Sequence, residues 1–224
     1  MPNPKRLAIF DCDGTLVDSQ VNICRAMEHA FADAGLPPPS RAATCRIVGL
    51  SLVEAMRALL PDADDTRHRT LAAGYKDAYG RLRATAALDD EPLFDGIADT
   101  LARLHDEGWL LGIATGKSDR GLARVLAHHG IADRFVTLQT ADRHPSKPDP
   151  AMILAALAET GVAPHMAAMI GDTSFDMAMA RAAGVRAVGV AWGYHTPAEL
   201  ADAGADLIAE HASELPALLA RVLG

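Results

Sequence analysis

The chain has 224 residues, and its 21 Lys and Arg against 29 Asp and Glu give a formal net charge of −8. Half of the residues are hydrophobic but only 4% are aromatic, so aliphatic side chains and Met must build the core. This composition excludes disorder as the overall state. The acidic balance argues against a broad nucleic-acid-binding surface, which needs a basic stripe. The apolar runs all fall short of the ~20 residues that cross a bilayer.

The amino end and the cysteines favour a cytoplasmic protein. The apolar run before Asp11 is only Leu7–Phe10, whereas a secretory signal needs about 7–15 apolar residues. The three cysteines, Cys12, Cys24 and Cys45, form no C-x-x-C pair. Neither a disulfide framework nor a zinc site is therefore indicated. We expect reduced thiols, with Cys12 packed inward as a small apolar side chain.

Short apolar runs alternate with helical patterns along most of the chain. The predicted strands do not alternate in polarity, which is typical of strands buried on both faces. They are Leu7–Phe10, Leu110–Thr115, Phe135–Thr140, Ala167–Gly171, Ala187–Ala191 and Asp206–Ala209. The predicted helices are Ile97–Glu107, Asp119–His129, Ala151–Thr160, Phe175–Ala183 and Ser213–Leu223. Strands and helices in this order predict an α/β fold with a doubly wound parallel sheet.

Two of these helices have recognisable ends. Asp95 is expected to cap the helix that begins at Ile97, and Gly108 to end it. Asp149 and Pro150 supply a capping side chain and a proline at the start of a helix. These signals fix the predicted boundaries of two helices that cross between parallel strands.

One long stretch lacks strands and interrupts the alternation. Its predicted helices are Val21–Ala34, Ala42–Leu60 and Asp65–Leu88, separated by prolines. We therefore predict a core of residues 1–16 and 92–224, with an inserted helical cap of residues 17–91 over the carboxyl edge of the sheet. Within this cap the candidate substrate-binding residues are Arg46, Gly49, Arg57, Tyr75 and Lys76.

Candidate functional residues stand at or after the ends of four of the predicted strands. In chain order they are Asp11, Asp13, Thr115, Gly116, Lys147, Asp172 and Asp176. Because ligands of open parallel sheets bind beyond the carboxyl ends of the strands, we expect these residues to converge. Carboxylates that meet there repel one another unless a divalent cation compensates their charge. Oxygen ligands of this kind suit Mg²⁺.

The remaining groups at this edge fit a phosphoryl group. Lys147 and Thr115 can donate to phosphoryl oxygens, with Lys147 acting as a point charge. A neighbouring carboxylate can attack phosphorus and form an aspartyl-phosphate. A second carboxyl group two residues further on can protonate the leaving oxygen and then activate water. The sequence therefore predicts phosphoryl transfer.

The chain resembles the haloacid dehalogenase superfamily. The run from Phe10 to Ser19, FDCDGTLVDS, is similar to its first motif, hhhhDxDGTLxDS. Thr115, Lys147 and the stretch from Gly171 to Asp176 are similar to its second, third and fourth motifs, in the same order. The resemblance covers the whole chain, and the helical insert is placed like the C1 cap of phosphoglycolate-phosphatase-like members.

The resemblance implies roles for the four aspartates. Asp11 is expected to be the nucleophile and a magnesium ligand. Asp13 is expected to be the general acid and base, with its backbone carbonyl also on the metal. Asp172 is expected to be a magnesium ligand, and Asp176 to reach the metal indirectly, through water or a neighbouring group. Because true dehalogenases of the superfamily lack the second aspartate of the first motif, Asp13 favours phosphate-ester chemistry.

The resemblance also implies the phosphate-binding residues and the activity. Thr115, Gly116 and Lys147 are expected to bind the phosphoryl group, although Gly116 stands where phosphoglycolate phosphatases often have Asn. The predicted function is a magnesium-dependent phosphatase acting on a small phosphorylated metabolite, with phosphoglycolate as the family-based candidate, in a monomer or homodimer.

Several alternatives stay open. A β-phosphoglucomutase-like phosphomutase or a pyrophosphatase would use the same core. Outside enzymes, a phospho-accepting receiver-like module or a silent binding protein would share some of these residues. Receiver-like modules are compact single domains, so the helical insert argues against that reading.

Overall fold

The structure, a computed structural model, describes residues 5–224. Within them six strands form one parallel sheet in the order β3-β2-β1-β4-β5-β6. The strands are β1 Leu7–Phe10, β2 Leu110–Thr115, β3 Phe135–Thr140, β4 Ala167–Gly171, β5 Arg186–Val190 and β6 Leu207–Ala209. The strand order reverses between β1 and β4, where open parallel sheets bind their ligands. The predicted doubly wound α/β fold is confirmed; residues 1–4 of the predicted core lie outside the described residues.

The helices connect the strands and form the long insert. They are α1 Gln20–Asp33, α2 Arg41–Cys45, α3 Leu52–Leu59, α4 Asp65–Ala84, α5 Ile97–Asp106, α6 Asp119–His128, α7 Ala151–Thr160, α8 Ser174–Ala183, α9 Pro197–Asp202 and α10 Leu215–Leu223. The single helix predicted over Ala42–Leu60 is wrong, because a turn separates α2 from α3. Gly49 in that turn has a φ of 97°, a left-handed conformation that an α-helix cannot contain.

Two helix starts differ from the prediction, and one short helix is additional to it. Asp95 does not cap α5: the residue before the helix is Gly96, which has a φ of 74° and no side chain to offer. The last helix begins at Leu215 because a 3₁₀ turn over Ala212–Glu214 precedes it. The short helix α9 was not predicted, although Thr196 and Glu199 form a capping box at its start.

The sheet is buried on both faces, which explains its unalternating strands. Leu7 and Ile9 of β1 pack in a cluster with α7 and α8, whereas Ala8 and Phe10 pack in a cluster with α5 and α10. All four side chains are fully buried. Burial of a large aliphatic side chain contributes about 1.5–3 kcal/mol, so the core holds the strand ends in fixed positions.

Helices α1–α4, termed here the helical block, have a separate buried cluster. Met27 and Phe31 of α1 pack there with Met56 of α3 and with Leu71 and Leu82 of α4. The block leaves the sheet after β1 and returns before α5, so the residues at its two ends lie near the carboxyl edge of β1. Among the helices of residues 5–224, none is both long and apolar enough to cross a membrane.

Candidate functional site

Asp11 follows β1 directly and is almost completely buried. Its Oδ1 accepts hydrogen bonds from the backbone N–H of Cys12 at 2.6 Å, and lies 2.9 Å from Nζ of Lys147. Its Oδ2 is buried and has no hydrogen-bond partner among the described residues. Burial, with Asp176 and Asp13 nearby, outweighs the attraction of Lys147 and raises the pKa of Asp11 to about 7. The Asp11 carboxylate is thus held through Oδ1, while Oδ2 makes no hydrogen bond to the described residues.

Lys147 joins two carboxylates in the interior. Its Nζ lies 2.9 Å from Asp11 and 2.6 Å from Asp176, and its side chain has no exposed surface. Burial alone would lower the pKa of Lys147, but the two carboxylates outweigh burial and raise it. Asp176 also accepts from the hydroxyl of Thr173 at 2.7 Å and completes a capping box at the start of α8. Asp176 therefore both positions Lys147 and stabilises the start of α8.

Asp172 follows β4 and is fixed by groups from two loops. Its Oδ1 accepts from the hydroxyl of Thr15 at 2.8 Å, and its Oδ2 accepts from the N–H of Tyr194 at 2.9 Å. A Cβ at Gly14 or Gly193 would lie only 2.2 or 2.1 Å from the Asp172 side chain, so both positions require glycine. Burial, then the charges of other site aspartates, raises the pKa of Asp172.

The three buried carboxylates fit a divalent cation. Asp11, Asp172 and Asp176 each offer an oxygen atom, and these atoms all lie within 4.8 Å of one another. When all three are ionised, Lys147 supplies one positive charge against three negative charges, which leaves an excess of two that a cation would offset. All three groups are carboxylates, and an all-oxygen set of ligand atoms suits Mg²⁺. Asp176, expected only as an indirect neighbour of the metal, lies inside this carboxylate cluster.

Asp13 is engaged by different residues. Its Oδ1 accepts from the hydroxyl of Ser19 and from Nζ of Lys117, the latter at 2.5 Å. Burial alone would lower the pKa of Lys117, but Asp13 and the weaker effects of nearby acidic groups together outweigh burial and raise it. Sequence reasoning missed Lys117 as a site residue. Its position two residues after Thr115, in the same strand-end loop, was the available signal.

The loop after β2 also touches the helical block. Thr115 is buried, and its Oγ1 accepts from the N–H of Lys117 at 3.2 Å. A Cβ at Gly116 would lie 2.6 Å from the backbone oxygen of Gly49 and 2.8 Å from that of Leu50. The glycine thus permits a close approach between the sheet edge and the α2–α3 turn. Binding of phosphate by Thr115 and Gly116 stays a prediction.

Two further contacts join the α2–α3 turn to the rest of the chain. The N–H of Ser51 donates to Oγ of Ser146 at 2.8 Å, one residue before the buried lysine. Arg46 forms an ion pair with Glu199 at the start of α9. These polar contacts, with the tight packing at Gly116, hold the helical block against the edge of the sheet.

A cavity of about 670 Å³ lies between the block and the sheet edge, and Asp11, Asp13 and Thr115 line it. The candidate substrate-binding residues divide into two groups. Gly49, Tyr75 and Lys76 line this cavity. Arg46 and Arg57 do not, because Arg46 pairs with Glu199 and Arg57 with Glu54 and Asp65.

Comparison with known proteins supports the chemical reading of this site. The family profile of haloacid dehalogenase-like hydrolases matches residues 8–190. The chain is 35% identical over 215 residues to a probable phosphatase, IndB, of Dickeya dadantii, covering 94% of this chain and 92% of that protein. It is 33% identical over 214 residues to the tyrosine-protein kinase PtkA of Mycobacterium bovis, covering 95% and 71%.

A phosphoglycolate phosphatase and a solved structure complete the comparison. The phosphoglycolate phosphatase of Pseudomonas putida is 31% identical over 197 residues, covering 85% of this chain and 71% of that protein. The crystal structure of a predicted phosphatase from Clostridium acetobutylicum superposes with a TM-score of 0.87 at 24% identity, covering 98% of this chain and 100% of that chain. At that identity the structural match shows the fold. The predicted resemblance and the predicted class, an enzyme of phosphatase type, are confirmed.

Proposed function

The chain belongs to the haloacid dehalogenase-like hydrolase family, and we propose that it hydrolyses a small phosphomonoester through an aspartyl-phosphate formed on Asp11. The observation that carries this proposal is the state of the Asp11 carboxylate. Oδ1 is held by Cys12 and Lys147, while Oδ2 is unpartnered and belongs to a residue that lines the cavity. An oriented carboxylate with one free oxygen is suited to nucleophilic attack.

The first step would transfer the phosphoryl group to Asp11. Oδ2 forms a bond to phosphorus as the bond between phosphorus and the ester oxygen breaks. The leaving oxygen takes a proton from Asp13. In the second step a water oxygen attacks phosphorus, its proton passes to Asp13, and the bond to Asp11 breaks. Inorganic phosphate leaves, and both carboxyl groups return to their starting state.

Asp13 is positioned for this proton transfer by its neighbours. Ser19 and Lys117 both donate to Oδ1, and among the described residues Oδ2 has no such partner. Lys117 is therefore proposed as a positioning residue for the acid and base. A second oxygen free to face the cavity is what a proton donor to the leaving group needs.

The transferred phosphoryl group would be bound by residues at the ends of β2 and β3. We propose that Thr115, the backbone of Gly116 and Lys147 donate to its oxygens. Thr115 is buried beside the cavity, and Lys147 already lies within 2.9 Å of the proposed nucleophile. Lys147 would therefore also attract the substrate despite the negative charge of the whole chain.

A divalent cation, proposed to be Mg²⁺, would be held by Asp11, Asp172 and Asp176, with the backbone carbonyl of Asp13. When bound, it would offset the negative charge of the carboxylates and of the phosphoryl oxygens. The excess of two negative charges among the buried residues supports this proposal, because such an excess is costly in the interior.

The helical block is proposed to be a cap domain of residues 17–91 that closes the site and shields it from bulk water. This proposal is supported by the contacts of the α2–α3 turn with Gly116, Ser146 and Glu199. Phosphoglycolate is the first substrate to examine, because relatives at 30–31% identity are phosphoglycolate phosphatases.

The experiment is a substrate panel assayed with Mg²⁺ and with a chelator. It includes phosphoglycolate, sugar phosphates, nucleotides and pyrophosphate, with Asp11→Asn and the exposed Asp106→Asn of α5 as matched variants. We expect hydrolysis of at least one monoester, its loss in Asp11→Asn and in chelator, and its retention in Asp106→Asn. Turnover in Asp11→Asn equal to that of the unmodified protein would refute the mechanism. Activity on pyrophosphate alone, isomerisation of a sugar phosphate, or phosphate transfer to a protein would replace the proposed reaction.

A further inference from the structure

The mouth of the cavity carries cations that the proposed reaction does not use. Arg69, Lys76 and Arg83 of α4 line it at intervals of seven residues. Seven residues are about two helical turns, so these side chains share one face over about 21 Å. Arg120 and Arg124 of α6 line the same cavity, and their spacing of four residues also places them on one face. An acidic chain thus has a basic entrance to its site.

Among these five cations, three arginines lack a counter-charge within the described part of the chain, as does Lys76. Arg69 is paired with Asp65 at 2.8 Å. In contrast, across residues 5–224 neither Arg83 nor Arg120 nor Arg124 forms an ion pair. Partial loss of solvent, then the positive charges of Arg83 and Arg120, lowers the pKa of Arg124. The positive charges of Arg83 and Arg120 therefore both act on Arg124.

The acidic residues of the same cavity do not cancel this charge. They are Asp11, Asp13, Glu91 and Asp142. Asp11 and Asp13 are paired with the lysines of the catalytic edge. Glu91 accepts hydrogen bonds from the amide of Asn22 and the hydroxyl of Tyr79, and Asp142 accepts from the N–H of Asp119, so both stay charged. With Lys117, however, six cations line the cavity against these four carboxylates, so positive charge remains in excess.

We propose that Arg83, Arg120 and Arg124 form a second anion subsite, which binds a carboxylate or phosphate at the far end of the substrate. The substrate class is then a small phosphomonoester with a second anionic group. Guanidinium groups bind both kinds of oxyanion through paired hydrogen bonds. The ring of Tyr79, 5.1 Å from the guanidinium carbon of Arg83, supports that side chain by a cation–π contact. This inference rests on the proposed function, which supplies the first phosphoryl site.

Binding to the inactive Asp11→Asn protein in Mg²⁺ buffer tests the subsite without turnover. Two matched pairs of probes are compared by calorimetry: 2-phosphoglycolate with 2-hydroxyethyl phosphate, and propane-1,3-diol bisphosphate with 3-hydroxypropyl phosphate. We expect the probe with the second anion to bind at least about tenfold more tightly in one pair, since a charged hydrogen bond is typically worth that much. The pair with the larger ratio identifies the second group as carboxylate or phosphate.

Arginine variants in the same background locate the effect. In the double variant Arg120→Gln, Arg124→Gln, we expect the affinity ratio to fall to within about twofold of unity. In the single variant Arg83→Gln, we expect the ratio to fall to about threefold. Arg221→Gln on α10 removes one exposed charge far along the chain from the cavity and is expected to leave the ratio unchanged. A ratio near unity in the unmodified background, or one that the arginine variants retain, would overturn the subsite.

Hydrolysis by the protein with Asp11 intact separates the two proposals. If the binding preference depends on the arginines but neither member of any pair is hydrolysed, the subsite stands and the proposed reaction fails. If both members are hydrolysed with equal kcat/KM, the reaction stands and the subsite fails.

Discussion

Replacing Lys147 by Met would remove the ammonium group that, alone among residues 5–224, contacts both Asp11 and Asp176. Met keeps the length and apolar stem of lysine, so the change is mainly the loss of charge and hydrogen bonds. Breaking a buried ion pair costs about 3–5 kcal/mol because the partner charge is left uncompensated. Lys147 lies 2.9 and 2.6 Å from two fully buried carboxylates. We therefore expect the metal-free variant to lose about 3–5 kcal/mol of unfolding free energy, or about 6–20 °C in Tm.

The assay is urea unfolding at pH 8, with a chelator and then with excess Mg²⁺. Lys76→Met is the matched control, because Lys76 is an exposed lysine of a helix; its change is expected within about 0.5 kcal/mol. The double variant Lys147→Met, Asp176→Asn should recover part of the loss, since one of the two uncompensated carboxylates is then neutral. If Lys147→Met were as stable as Lys76→Met in chelator, the electrostatic account of the site would be refuted.

Three further predictions concern the metal, the sheet edge and the cap contact. Saturating Mg²⁺, at about 100 times its Kd, should stabilise the unmodified protein by about 2.7 kcal/mol and should stabilise Asp172→Asn much less in a thermal scan. Gly116→Ala brings a Cβ to 2.6 Å from the oxygen of Gly49, so denaturant unfolding should show a loss of about 1–3 kcal/mol. The pKa of Glu199 is lowered to about 2 by hydrogen bonds and by Arg46, so its ionised form stabilises the fold above about pH 4.5, and that contribution is lost as the pH falls through about 2. NMR titration should find a higher pKa in Arg46→Gln; an unchanged value would contradict the contact.

The sheet was predictable because its strands are buried on both faces. β1, β2, β3 and β4 have the bounds that their apolar runs predict, and β5 differs by one residue at each end. The helical block was less predictable. The apolar pattern over Ala42–Leu60 continues through the turn at Gly49, so the pattern alone predicts one helix. The turn packs closely against Gly116 at the sheet edge, and local sequence does not encode this long-range contact.

The candidate site, too, was predictable only in part. Aspartates that follow strands could be placed at one edge from chain order alone, and Asp11 and Asp172 do meet there. Lys117 was missed because its contact with Asp13 joins residues 104 positions apart. Gly193 was missed for a similar reason: its role is the close approach of a loop to Asp172, which appears only when β4 and the segment after β5 are packed together.

The central claim is that phosphate passes through Asp11. The most direct measurement is chemical trapping during turnover: the enzyme is mixed with excess substrate and Mg²⁺, quenched, and reduced with borohydride, which converts a phosphorylated aspartate to homoserine. Peptide mapping should then find homoserine at position 11, in amounts that fall to background without substrate. Steady hydrolysis with an unmodified Asp11, or with homoserine at another aspartate, would contradict the account.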